Sequence, residues 1–227
     1  LICVPVTQIR LGASDSGNDA AGTTTRQAYD TLAKGFGAGF NGPITLLADV
    51  SNQNSADSTS RAIEIIKSQP DVAAVLPAIP TQSGKYQLIT VYPKSSPQSE
   101  ETSQFISELR EDVIPNIQRE TGIDIQVGGI VAVFKDFGEV LTSKLLNFIL
   151  AVVILSMLLL MILFRSILIP IKAAGMNLLS ICAAFGVVVA GFQWGWFEPI
   201  FGTSAGPIES FLPIMLFAIL FGLSMDY

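Results

Sequence analysis

The sequence predicts an α-helical membrane bundle joined to an α+β domain that lies outside the bilayer. Half of the 227 residues are hydrophobic, only 14% are charged, and the mean hydropathy is +0.53. Such a composition excludes disordered and ordinary soluble chains. The charges are concentrated in residues 11–143, which hold 16 acidic and 9 basic side chains, whereas long stretches after residue 144 hold none. The chain therefore has a water-exposed part and an apolar part.

The first ten residues are predicted to be the end of a transmembrane helix. Residues 1–6 are apolar but far too short to span a bilayer, and they lack the basic start and small-residue cleavage site of a signal peptide. Residues 11–143 follow as the predicted extracytoplasmic domain. Their acidic excess argues against a nucleic-acid partner, which would favour a basic surface.

The extracytoplasmic domain is predicted to follow a β-α-β-β-α-β order, the split βαβ pattern of ferredoxin-like folds. A helix capped near residues 23–25 and running to about residue 34 comes first, with Ala28, Leu32 and Phe36 expected on its buried face. The other predicted elements are strands at 43–50, 71–79, 85–92 and 123–129, a helix at 56–69, and a helix from Pro97 to about 120. Ser83 and Gly84 make a hairpin plausible before the strand at 85–92.

Glycines at residues 35–43 (GFGAGFNGP) predict a turn or hinge. A phosphate-binding loop would need a strand before it and a helix after it, and here the order is reversed. Helical spacing predicts a core from the residues Ala62, Ile65, Ile66, Phe105, Ile106, Leu109, Val113 and Ile117. An amphipathic helix is also expected at 130–143, with one apolar side formed by Val133, Phe137, Val140 and Leu141.

Residues 144–227 are predicted to form three transmembrane helices, at 145–164, 173–192 and 210–227, the last truncated. The first two are uncharged runs of 20 residues, long enough to cross about 30 Å of hydrocarbon. Arg165 and Lys172 bracket the link between them, so the positive-inside rule puts this link in the cytoplasm and residues 11–143 outside. Trp194 and Trp196 fit an interfacial belt at the outer surface, although ordinary packing explains them equally well.

Asp226 and Tyr227 are the candidate functional pair. Sixteen uncharged residues (210–225) precede Asp226, which places it about 24 Å along the helix. An ionisable group at that depth costs about 2.5–3.5 kcal/mol, and such groups line ion pathways or pair within a bundle. Burial would raise the carboxyl pKa toward neutrality and allow proton uptake and release. The alternative is a solvated residue just past the end of the helix.

Small residues indicate where other helices approach. Gly222 lies four residues before Asp226 on the same helical face, and Ala183, Gly186 and Ala190 form a similar stripe in the second span. Cys3 and Cys182 lie in apolar stretches and indicate packing rather than a disulfide or zinc site. Without histidine, a reactive cysteine or a GxSxG motif, the chain is not expected to be an enzyme or to hold a metal or cofactor.

Several motifs resemble the large mycobacterial-type membrane protein (MMPL) family of the resistance-nodulation-division (RND) superfamily of proton-driven exporters. The motifs are FGLSMDY at 221–227, FRS at 164–166, PIKA at 170–173, NLLS at 177–180, RQAYD at 26–30 and the glycine-rich run at 35–43. The resemblance covers nearly the whole chain.

The resemblance implies that residues 11–143 are the second porter domain of a twelve-helix protein in the bacterial inner membrane. It also implies that Asp226 and Tyr227 carry protons together with a similar pair in the missing N-terminal half. The implied function is proton-motive-force-driven export of a lipid or other hydrophobic compound. The alternatives are a related protein that translocates proteins or senses lipids, and a membrane-anchored binding domain without ion coupling.

Overall fold

The computed structural model describes residues 3–51 and 55–225. The chain divides into two compact units: an α+β unit, Gly22–Lys135, and a helical unit formed by Leu1–Ala21 together with Asp136–Tyr227. The α+β unit lies within the predicted domain 11–143 but begins later and ends earlier. The side of the membrane on which this unit lies stays a prediction, as does the assignment of residues 1–10 to a membrane helix.

The helices of the two units occur in the order α1 (Thr24–Phe36), α2 (Ser55–Lys67), α3 (Glu100–Glu108), α4 (Ile114–Thr121), α5 (Ile130–Phe164), α6 (Leu168–Val188), α7 (Glu198–Phe201) and α8 (Leu212–Met225). Short 3-10 helices cover Val4–Gln8 and Ala38–Asn41, and π-helical turns cover Leu109–Val113 and Val189–Gln193.

The strands occur in the order β1 (Leu11–Gly12), β2 (Ile44–Asp49), β3 (Val72–Val75), β4 (Ile79–Pro80), β5 (Tyr86–Pro93), β6 (Asp124–Gly128) and β7 (Ile208–Glu209). In the α+β unit the sheet has the order β3-β5-β2-β6, all pairs being antiparallel. Strands β2 and β3, which α2 connects, are therefore separated by β5. Gly84, with φ of 68°, lies in the turn between the paired strands β4 and β5, where the sequence predicted a hairpin.

The core of the α+β unit lies between this sheet and the helices α2, α3 and α4. Strand β2 alternates between buried and half-buried residues, and Ile44, Leu46 and Ala48 are fully buried. Seven of the eight core residues predicted by helical spacing are buried, and Ile65 is half-buried. The predicted mixture of helices and strands is confirmed.

Two predicted boundaries in this unit were wrong. The helix expected from Pro97 begins at Glu100, because the side chain of Ser99 caps it by accepting a hydrogen bond from the backbone N–H of Thr102 (3.2 Å). The strand expected at 71–79 ends at Val75, and β4 follows as a separate two-residue strand.

The predicted buried face of α1 was also wrong. Among the described residues α1 buries no side chain: Ala28 is exposed, Leu32 is 38% exposed and Phe36 is 67% exposed. The described core contains residues of β2, β3, β5, β6, α2, α3, α4 and the start of α5, but none of α1. The sheet and its packing partners thus complete this core without α1, and amphipathic spacing alone does not say what covers an apolar face.

The apolar side predicted for residues 130–143 is uncovered at three of its four residues, and the fourth, Leu141, is half-buried. Val133, Phe137 and Val140 are each about half exposed, at 55%, 48% and 58%. Ala132, which projects in another direction, is the fully buried residue of this turn and belongs to the core of the α+β unit. The helix does not break near residue 144, because α5 continues unbroken to Phe164.

Among the described residues, two helices are long and apolar enough to span a membrane: Ile130–Phe164, most of which belongs to the helical unit, and Leu168–Gln193. No residue of the most apolar window of the first is buried in the described structure, unlike a core helix of a soluble protein. The second begins at Leu168 rather than at residue 173 and ends in the π-helical turn. The described apolar part of the third predicted span, Leu212–Ser224, is shorter.

Candidate functional site

Asp226 and Tyr227, the predicted proton-relay pair, lie outside the described residues. The helix that leads to them, α8, is described to Met225 and contains no charged side chain. The uncharged run that contains this helix begins at Ser210, directly after Glu209. The relay assignment therefore stays a prediction, and the described part of the site is the helix and its surroundings.

One face of α8 is held by aromatic packing. Phe217 and Phe221 are buried at 0% and 2% exposure and stack on each other, with ring centroids 5.2 Å apart. Phe148 of α5 meets Phe217 edge-on at 5.9 Å, and Ile181 and Phe185 of α6 belong to the same cluster. This cluster defines the side of α8 that packs within the chain.

The opposite face of α8 is open in the described structure. Ile219 is 50% exposed and Leu223 is 59% exposed. An added Cβ at Gly222 would meet no described heavy atom within 4 Å. The sequence analysis predicts Asp226 on the same helical face as Gly222, four residues earlier, and this assignment stays a prediction. The helix contact predicted at Gly222 stays a prediction.

The start of α8 is joined to the N-terminal segment by a pair of short strands that the sequence analysis missed. Strands β1 and β7 are parallel, with Leu11 opposite Ile208 and Gly12 opposite Glu209. The carboxylate of Glu209 accepts hydrogen bonds from the backbone N–H of Ser14 (2.9 Å) and from its hydroxyl. Ser14 and Glu209 are 195 positions apart in the sequence. Local sequence patterns therefore do not predict that they pair.

Further hydrogen bonds extend this junction on both sides. The side-chain amide of Gln193 donates to the carbonyl of Gln8 (2.7 Å) and accepts from the backbone N–H of Arg10 (2.8 Å). The amide of Asn18 donates to the carbonyls of Ser204 (3.3 Å) and Ala205 (3.2 Å). Residues 8–18 are therefore bound along the connection that leads from α6 to α8.

The small-residue stripe predicted in α6 borders an apolar cavity of about 530 Å³. Gly186 and Ala190 are buried and line it, whereas Ala183 is half-buried and is not among its lining residues. Val4, Pro5, Trp194 and Trp196 complete much of the lining. The two tryptophan rings meet at 60°, with centroids 5.9 Å apart, and both are exposed.

The glycine-rich run at 35–43 forms a tight turn, as predicted. Gly37 has φ of 99°, a conformation that glycine adopts without strain. Gly39 is buried so closely that an added Cβ would overlap the carbonyl oxygen of Pro93 and lie 2.8 Å from that of Ser95. Phe40 stacks between Phe36 and Tyr92, with centroid separations of 4.5 and 4.9 Å. These contacts indicate that the glycine-rich run is a turn with a role in packing.

The described residues form no candidate metal site. In residues 3–51 and 55–225, no group of three or more His, Cys, Asp or Glu side chains could hold a metal ion. The free thiols Cys3 and Cys182 are each partly exposed.

Apolar helices with uncovered surfaces, together with a charged α+β unit inserted between apolar segments, are typical of a membrane protein. The MMPL family model matches residues 9–227, and the chain belongs to this family. The resemblance seen in the motifs is thereby confirmed.

Three relatives illustrate the family. Over 230 residues the chain is 36% identical to a membrane protein of Bacillus subtilis, YdfJ, covering 100% of this chain and 31% of the relative. It is 28% identical over 208 residues to a mycolic acid-containing lipids exporter of Mycolicibacterium smegmatis, MmpL11. This match covers 89% of this chain and 22% of the relative. It is also 28% identical over 232 residues to the heme uptake protein MmpL11 of Mycobacterium tuberculosis. This match covers 100% of this chain and 24% of the relative.

The chain spans less than a third of the length of these relatives. The family is one of membrane transport proteins, in agreement with the prediction that the chain is not an enzyme.

Proposed function

We propose that this chain is the second-half portion of a proton-motive-force-driven exporter of lipids or other hydrophobic compounds. In this proposal the protein is a multi-pass protein of the bacterial inner membrane. The α+β unit, Gly22–Lys135, belongs to a ferredoxin-like porter domain on the outer side. Family membership and the lipid exporter among the relatives support this function.

The observation that carries the proposal is the open face of α8. This helix buries Phe217 and Phe221 on one side and leaves the side of Gly222 and Leu223 uncovered in the described structure. A carboxyl group on an uncovered apolar face inside a bilayer would be costly. We therefore assign Asp226 to a contact with the missing half of the protein, where a partner pair would share its proton. The chain alone is not expected to transport.

The assigned roles differ between the two residues. Asp226 takes up a proton when its surroundings are open to the outer solution and releases it toward the cytoplasm. Neighbouring residues of a helix project about 100° apart, so we assign Tyr227 a hydrogen bond to a carboxylate of another helix rather than to Asp226. The proton gradient then drives the cycle of conformations that moves the cargo.

The test is Asp226→Asn in the full-length protein, compared with the wild type and with Ser224→Ala, a neighbouring polar change on the same helix. Lipids on the cell surface would be extracted and quantified by mass spectrometry at equal protein abundance. We expect at least one lipid species to disappear from the surface in Asp226→Asn and to remain in Ser224→Ala. Unchanged surface lipids in Asp226→Asn would contradict the proton-relay role.

The same experiment distinguishes the alternatives. A lipid sensor or an anchored binding domain would bind lipid without changing what reaches the surface, and a protein translocator would alter secreted proteins instead. In an exporter, collapse of the proton gradient by an uncoupler should reproduce the loss of surface lipid caused by Asp226→Asn. For a protein translocator, a lipid sensor or an anchored binding domain, the same treatment should leave this surface lipid in place.

A further inference from the structure

The start of α8 lies at a junction through which both connections to the α+β unit pass. The chain enters that unit at Gly22 and leaves it at Lys135. The entering segment contains β1 and Ser14, which are bound to β7, and β7 is separated from α8 by only two residues. All of the contacts described below lie within the helical unit.

The segment that leaves the α+β unit, the start of α5, packs next to the same residues before α8. Gly138, two turns into α5, is buried, and an added Cβ there would lie 3.1 Å from the hydroxyl of Ser210 and 4.0 Å from the carbonyl oxygen of Leu11. The side chain of Ser210 donates to the carbonyl of Gly12 (3.1 Å), and its backbone N–H donates to the same oxygen (3.0 Å). The residue as a whole is only 3% exposed. Two other chain segments, residues 11–14 and the start of α5 at Gly138, thus meet residues 208–210.

Glu209 supplies the charged contact of this junction. A hydrogen bond to an ionised carboxylate is stronger than one between neutral groups, and Glu209 accepts two of them from one residue, Ser14. The register of β1 and β7 places Glu209 opposite Gly12, so its side chain reaches along the entering segment to Ser14. This contact ties the turn before α8 to the chain that runs into the α+β unit.

We propose that Glu209 and Ser14 are positioning residues that transmit displacements of α8 to the segment that enters the α+β unit. This inference rests on the proposed function, because it links the helix that carries Asp226 to the unit proposed to handle cargo. When the contact between Glu209 and Ser14 is intact, a displacement of α8 also displaces the entering segment. When the contact is lost, α8 still responds to protonation but the entering segment does not move with it.

The test separates proton movement from cargo movement in the full-length protein. Glu209→Ala removes the acceptor, whereas Glu209→Gln keeps an oxygen that can accept from Ser14. Glu198→Ala is the matched control, since Glu198 lies exposed in the same connection between α6 and α8. Proton flux would be followed with a pH-sensitive dye in inverted membrane vesicles, and export by the surface lipid that depends on Asp226.

We expect Glu209→Ala to reduce export about tenfold or more, the size expected from losing hydrogen bonds to a charged group, while proton flux persists. Glu209→Gln should retain most of the export, and Glu198→Ala should behave as the wild type. Unchanged export in Glu209→Ala, or a parallel loss of export and proton flux in both Glu209 variants at normal abundance, would overturn the inference.

A covalent link gives a second measurement. In a background with Cys3, Cys182 and any further native cysteine of the full-length protein replaced by serine, Ser14→Cys with Glu209→Cys should export poorly. Export should recover when a short bis-methanethiosulfonate reagent bridges the two thiols. Export that is indifferent to the bridge would also overturn the inference. Failure of the proposed function is recognised separately, because Asp226→Asn would then leave both fluxes unchanged.

Discussion

At the scale of single residues, Gly39 and Gly35 illustrate how one sequence motif contains positions with opposite constraints. Both belong to the glycine-rich run, and the sequence predicts a turn without distinguishing them. In the structure Gly39 lies against the backbone of Pro93 and Ser95, whereas an added Cβ at Gly35 would meet no described atom within 4 Å. Only the packing of the turn against the end of β5 reveals the difference.

Gly39→Ala should therefore destabilise the α+β unit by about 1–3 kcal/mol, because the added methyl group overlaps a backbone carbonyl that cannot rotate away. Gly35→Ala, near the end of α1, is the control and should be neutral or stabilising by about 0.5–1 kcal/mol. The measurement is the urea dependence of proteolytic cleavage within residues 22–135 of the purified full-length protein. Equal stability of the two variants would contradict the assigned packing.

At the scale of elements, α1 and α3 show what periodicity predicts and what it leaves open. Both helices have apolar residues at helical spacing. Phe105 and Ile106 of α3 are buried as expected, at 1% and 0% exposure, whereas Leu32 and Phe36 of α1 are exposed. An apolar stripe predicts a helix and the face of it that is suited to burial. Whether another element covers that face depends on how the strands and helices are arranged in the fold.

Ile106→Ala on α3 should destabilise the α+β unit by about 2–5 kcal/mol, because it leaves a cavity in a fully buried site. Glu108→Ala, two residues later on the exposed side of the same helix, should change stability by less than about 0.5 kcal/mol. The same proteolysis assay measures both variants. A small effect of Ile106→Ala would mean that α3 does not pack on the sheet as described.

At the scale of the whole molecule, the chain combines a water-exposed unit with helices whose surface suits a bilayer. Leu155, Leu159 and Ile162 of α5 are each at least 60% exposed, so the apolar surface of this helix is not covered by the described chain. Arg165 lies in the link between α5 and α6, and Lys172 lies near the start of α6. The prediction of which side of the membrane this end faces depends on these two charges.

The sidedness is testable with two single-cysteine variants of the full-length protein, after Cys3, Cys182 and any further native cysteine have been replaced by serine. Gln82→Cys, in the turn before β5, should react with a membrane-impermeant maleimide in intact cells. Ser166→Cys, in the link between α5 and α6, should react only after the membrane has been opened, because positive loops are retained in the cytoplasm. The reverse pattern of labelling would contradict the predicted orientation.

The sequence by itself determined the two parts of this protein, most of the strands and helices, most of the core of the α+β unit and the family. These features follow from composition, from short-range periodicity and from motifs, which a linear chain displays directly. The Asp226 and Tyr227 pair was also found in this way, and its role stays a prediction.

The tertiary structure decided which apolar faces are covered and how distant segments join. The uncovered face of α1, the close approach at Gly39 and the contact between Ser14 and Glu209 all depend on residues far apart in the chain. Strands of two residues, such as β1 and β7, carry no periodic signal. Their pairing is stabilised by hydrogen bonds that form only when the rest of the helical unit has brought them together.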